Sequence, residues 1–61
     1  MEDQETLKLA LRKASSRAVQ AKMDLHDLSE ELPIGWERIM EVAQATKDAY
    51  AELDRLRKLV G

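Results

Sequence analysis

Sixty-one residues with a formal charge of −2 make at most one small domain, whose core is too shallow to stand without unusually regular helix packing, self-association or a partner. The absence of cysteine excludes disulfides and thiolate metal or iron–sulfur sites, and fits a reducing cytoplasm. No apolar run approaches the roughly 18 residues that span a bilayer, the start Met1-Glu2-Asp3 is acidic where a secretory leader is basic, and a pI near 5.3 argues against nucleic acid as a partner.

Ala, Leu, Glu, Lys and Arg dominate, and Trp36 and Tyr50 are the only aromatic residues. That is the composition of a coiled coil or a long helical hairpin. Met1 to Thr6 carries three acids and reads as a frayed lead-in, with Asp3 or Thr6 available to cap a helix. From Leu7 the small and apolar residues fall at Leu7, Leu11, Ala14, Ala18, Ala21, Leu25, Leu28 and Leu32. Spacings of four and three alternate without a fault, as along a coiled-coil seam. The pattern predicts a first helix over about 5–31.

Pro33 and Gly35 then predict a turn over 32–35. Pro33 pushes Leu32 out of helical geometry, and Gly35 is placed to cap a second helix, with Glu37 in its first turn. A second seam runs through Ile39, Val42, Thr46, Ala49, Leu53, Leu56 and Val60, predicting that second helix over about 36–60. The two seams agree with each other. Facing layers of an antiparallel hairpin have residue numbers of constant sum, and the seven pairs from Leu28 with Ile39 to Leu7 with Val60 all sum to 67. The expected fold is all-α: residues 1–61 form a single two-helix antiparallel coiled-coil hairpin that dimerises into a four-helix bundle.

Large side chains fill both ends of the seam, while Ala14, Ala18, Ala21, Thr46 and Ala49 make a narrow waist. Val19, Met23, Met40 and Tyr50 lie off the seam, where a lone hairpin would leave them in water, and they are the expected homodimer interface. A groove for a different protein is the other reading of those residues.

Charge is polarised along the rod. Residues 24–41 hold Asp24, Asp27, Glu30, Glu31, Glu37 and Glu41 against Arg38, a net −5. Residues 7–17 and 51–60 hold seven cations against Glu52 and Asp54, a net +5. Asp27, Glu30 and Glu31 also sit in the last turns of the first helix, where the helix dipole prefers cations. The ordinary explanation is a solvated face that keeps the protein in solution. The functional one is a docking site at the tip through Asp24, Asp27, Glu30, Glu31, Glu37 and Trp36. Trp36 is then an exposed anchor, and the alternative is an indole folded over Leu32 and Leu28 as a lid.

His26 and Glu30, one turn apart, are weak candidates for metal ligands. A bundle di-iron site needs four inward carboxylates and two histidines, and this chain has one histidine facing away from the seam. No metal and no cofactor are expected. Nothing supports catalysis: there is no nucleophile–histidine–acid spacing of known meaning and no glycine-rich phosphate loop. Lys8, Arg12, Lys13 and Arg17 could form a basic stripe for RNA, but no aromatics are interleaved for stacking, and Glu52 and Asp54 are expected to pair with part of it across the hairpin.

The run Arg17-Ala18-Val19-Gln20-Ala21-Lys22-Met23-Asp24-Leu25-His26-Asp27-Leu28-Ser29-Glu30, with Leu32-Pro33, Trp36-Glu37 and Val42-Ala43 beyond it, resembles a family of small Rop-like hairpin proteins encoded in bacterial nitrogen-fixation gene clusters. The resemblance covers about residues 7–60. It implies a two-helix hairpin, dimeric, with a role in the production or function of nitrogenase and a partner among the nitrogen-fixation proteins. It brings no known activity with it, and the shared fold of a plasmid RNA-binding regulator does not transfer RNA binding. The combined expectation is a non-enzymatic, cytoplasmic accessory protein of nitrogen fixation that works by protein–protein contact. A small metal-handling protein using His26 and the acidic tip, and an RNA-binding regulator, are the alternatives.

Overall fold

A computed structural model describes residues 3–60, which form a rod of 46 × 14 × 14 Å. Two helices, α1 (Gln4–Glu31) and α2 (Ile39–Val60), lie antiparallel, joined by a turn and one short 3₁₀ segment over Trp36–Arg38. Met1, Glu2 and Gly61 lie outside the described residues. Helix α1 starts earlier than a frayed lead-in allows. The Asp3 carboxylate accepts from the Thr6 amide at 2.8 Å and its carbonyl accepts from Leu7 N–H, so Asp3 is the cap and Gln4–Thr6 are already helical.

The seam runs where the four–three spacing puts it. Every buried residue among those described is a seam residue: Leu7, Ala14, Ala18, Leu28, Val42, Leu53 and Leu56. Leu11, Ala21, Leu25, Thr46, Ala49 and Val60 are half-buried between them. Ala14, Ala18, Leu53 and Leu56 form one cluster, with Ala10, Leu11 and Ala49 packed against it. The register is fixed at the waist by the Thr46 hydroxyl. It lies 2.9 Å from the Val42 carbonyl of its own helix and 3.2 Å from the Ala21 carbonyl across the seam, the layer where 21 and 46 sum to 67.

The hairpin end departs from the simple picture. Leu32 and Ile39, the last seam residues before and after the turn, are each 39% exposed, because no further layer covers them. The Leu32–Pro33 peptide is cis, and Leu32 leaves the helix at φ −54°, ψ 142°. Residues 36–38 are 3₁₀ rather than the start of α2, tightened by i+3 bonds from Trp36 N–H to the Pro33 carbonyl and from Arg38 N–H to the Gly35 carbonyl. Gly35 precedes this segment in the left-handed region, at φ 81°, ψ 11°, instead of the extended conformation of an ordinary N-cap. Its backbone lies over the seam: a Cβ built there would sit 3.1 Å from Leu28 Cδ1. Glycine therefore lets the turn close on the core.

Candidate functional site

Closing the turn with backbone leaves the Trp36 indole without a core to cover. It is 62% exposed, so it is not a lid on Leu28 and Leu32. Ile34 stands out further, at 73%, in a stretch with no seam position. Apolar residues this exposed at the apex of a hairpin, with carboxylates around them, need separate explanation.

The acids divide into two groups. Asp24, Asp27 and Glu31 line one hollow of ≈ 270 Å³ with Leu28, Ile34, Gly35 and Arg38. Arg38 is the single cation there, and its guanidinium is 4.0 Å from Glu41. Asp24 also accepts from the Gln20 side-chain amide at 2.9 Å. Glu30 belongs elsewhere: its carboxylate is 3.3 Å from His26 Nε2, while Asp27 lies 3.7 Å from His26 Nδ1. Glu37 lies beside Trp36 in the 3₁₀ segment. No basic residue occupies the last turn of α1, so the carboxylates stand against the dipole with no helical cation to offset them. Sequence patterning brings forward Asp24, Asp27, Glu30, Glu31, Glu37 and Trp36, but passes over Ile34 and Arg38. Ile34 was legible as an isoleucine inside a Pro-to-Gly turn.

The His26 ring lies between the Glu30 and Asp27 carboxylates, and all three side chains are largely exposed. No group of three or more histidine, aspartate or glutamate side chains among the described residues is placed to hold a metal ion. At the open end, Glu52 and Asp54 pair within their own helix, with Arg55 at 2.8 Å and Lys58 at 3.0 Å, rather than across the hairpin. The Arg55 hydrogen bond holds the Glu52 carboxyl below its ordinary pKa, and Arg17 adds to this from the facing helix. Asp3 and Glu5 lie at the same end and reduce the net charge of residues 3–17 and 51–60 to +3.

The four expected interface residues all lie off the seam. Met23 is two positions from both Ala21 and Leu25, which at 3.6 residues per turn points it directly away from the seam. Val19 lies on the same helix, and Met40 and Tyr50 lie on α2. All four are exposed in the single chain.

The Rop-like family model matches residues 2–60 of this chain. The chain belongs to the Rop-like family. A relative from Azorhizobium caulinodans, a UPF0437 protein, is 52% identical over 58 residues, which is 95% of this chain and 84% of that one. One from Frankia alni, described as a UPF0437 protein in a nifX–nifW intergenic region, is 57% identical over 49 residues, 80% of this chain and 60% of its own length. A protein solved by NMR shares the fold of this Rop-like chain with a TM-score of 0.87 at 56% identity, covering 93% of this chain and 80% of that one. No helix among the described residues is long and apolar enough to cross a membrane.

Proposed function

We propose that this Rop-like hairpin is a non-enzymatic accessory protein of nitrogen fixation, and that it docks a basic protein partner on its tip. The observation that carries the proposal is the hollow where Asp24, Asp27 and Glu31 converge over Leu28, with Ile34 on its rim and Trp36 exposed nearby. Carboxylates held against a helix dipole gain from an incoming cation, and a lysine or arginine supplied by a partner meets that need. The aliphatic and indole side chains would anchor the contact once desolvated. The gene neighbourhood of the Frankia relative supports the setting in nitrogen fixation.

The test is charge reversal. The Glu30→Lys/Glu31→Lys double variant should stay folded, or gain slightly, because lysines in the last turn of α1 suit its dipole. The wild-type chain, tethered and exposed to extract of nitrogen-fixing cells, should retain a basic nitrogen-fixation protein identifiable by mass spectrometry. The folded double variant should not. Undiminished retention by the variant would end the proposal.

A further inference from the structure

The tip hollow does not end at the tip. Asp24 and Arg38, which line it, also line a second hollow of ≈ 150 Å³ with Ala21, Glu41, Val42 and Ala45. The two join into one trough between α1 and α2, running from Ile34 to Ala45. Buried Leu28 and Val42 form its floor, and Ala21, Gly35 and Ala45 keep it open. Asp24, Asp27, Glu31 and Glu41 meet Arg38 alone there, a net −3. The Arg38 guanidinium lies 4.0 Å from Glu41, so the trough already takes one cation of the chain's own and still carries excess negative charge. A smaller hollow lined by Leu25, Leu28, Ser29, Leu32 and Ile39 has no charged residue, so charge sets the trough apart from it.

We infer that the partner presents a basic amphipathic helix, which lies in this trough with its cations along α1 and its small or apolar stripe over Leu28 and Val42. This mode rests on docking at the tip and carries the contact from the apex onto α2 as far as Ala45. Charge complementarity selects a basic occupant. The walls select a helical one. Over 21–31 and 39–45 both walls are helices, so neither offers an edge to which an extended peptide could add as a strand. A helix arrives with its main-chain groups already paired. Spacing agrees with this. Asp24, Asp27 and Glu31 stand three and four residues apart on one stripe about 10 Å long, and cations at i, i+4 and i+7 of a facing helix repeat that spacing.

The probe is a synthetic peptide of about 14 residues, with lysines at i, i+4 and i+7 and isotope-labelled alanines on the adjoining stripe. A helix this short is marginal alone, so its alanine chemical shifts should reach helical values only on binding the 61-residue chain. Binding should weaken as salt rises. Ala45→Arg, at an exposed position, puts bulk and positive charge in the trough and should weaken the complex roughly tenfold or more. Ser29→Arg makes the same charge change outside the trough and should weaken it far less. No binding, or equal weakening by the two substitutions, would overturn the inference. Binding that Glu31→Lys abolishes and Ala45→Arg spares, with the peptide still unfolded, would overturn the helix while leaving docking at the tip in place. Undiminished binding to the Glu30→Lys/Glu31→Lys chain would end docking at the tip and the helix with it. A self-associated species that Ala45→Arg disperses without peptide would assign the trough to a second copy, and would overturn the inference too.

Discussion

Ala18 is 0% exposed at the middle of the waist, so enlarging it tests whether the helices truly close there. Ala18→Leu adds three carbons against Ala14, Leu53 and Leu56, with Ala49 packed alongside. Two effects compete. If the waist held spare room, burying those carbons would stabilise the fold by about 0.8 kcal/mol each, roughly 2 kcal/mol in all. If the waist is close-packed, the leucine forces off-rotamer side chains or separates the helices, at a cost of about 1–3 kcal/mol. Zero exposure beside small neighbours favours the second, so the substitution should destabilise. In a domain of this size each kcal/mol moves Tm by about 4–8 °C. Urea and thermal unfolding of wild type and variant, compared at one protein concentration because self-association would contribute, should show the loss. Val19→Leu, one residue away and exposed, should stay within about 0.5 kcal/mol. A stabilised Ala18→Leu variant would refute the close-packed waist.

Other perturbations test the ends of the hairpin. Gly35→Ala should cost about 1–2 kcal/mol from its left-handed backbone, with Leu28 Cδ1 also pushed from its 3.1 Å approach. Gly35→Asn should cost less by unfolding titration, since asparagine tolerates that conformation better. Equal losses would assign the effect to the Leu28 contact. The Asp3 carboxyl is held below its ordinary pKa chiefly by the Thr6 amide, and also by the Thr6 side chain. Its contribution is therefore present above the ordinary aspartate range and lost as pH falls through the lowered value. Amide exchange at Thr6 should accelerate only below that range, and acceleration within it would contradict the cap.

The seam was legible in the sequence because one period governs it. Once Leu7 through Leu32 and Ile39 through Val60 each keep the four–three spacing, the constant sum sets the layers, and the Thr46–Ala21 contact comes with them. The turn was less legible. Pro33 and Gly35 mark it, but the 3₁₀ start over Trp36–Arg38 and the exposure of Trp36 depend on Gly35 backbone closing over Leu28. The acidic tip could be read as a charge count. Its division into the Asp24–Asp27–Glu31 hollow and the His26–Glu30 pair could not, because that depends on which side of α1 each carboxylate leaves. Val19, Met23, Met40 and Tyr50 share the property of lying off the seam. That property alone does not say which side of the hairpin each occupies.

Trp36 gives the most direct test of docking at the tip, because it is the only tryptophan and is largely exposed. Its emission can be monitored while a purified, basic nitrogen-fixation protein lacking tryptophan, or carrying only replaced ones, is titrated into the chain at low and high salt. Docking at the tip predicts a blue shift and protection from iodide quenching as the indole is desolvated, with affinity falling as salt screens the carboxylates. A partner that binds by an independent method while Trp36 emission and quenching stay unchanged would place the contact elsewhere and contradict the claim.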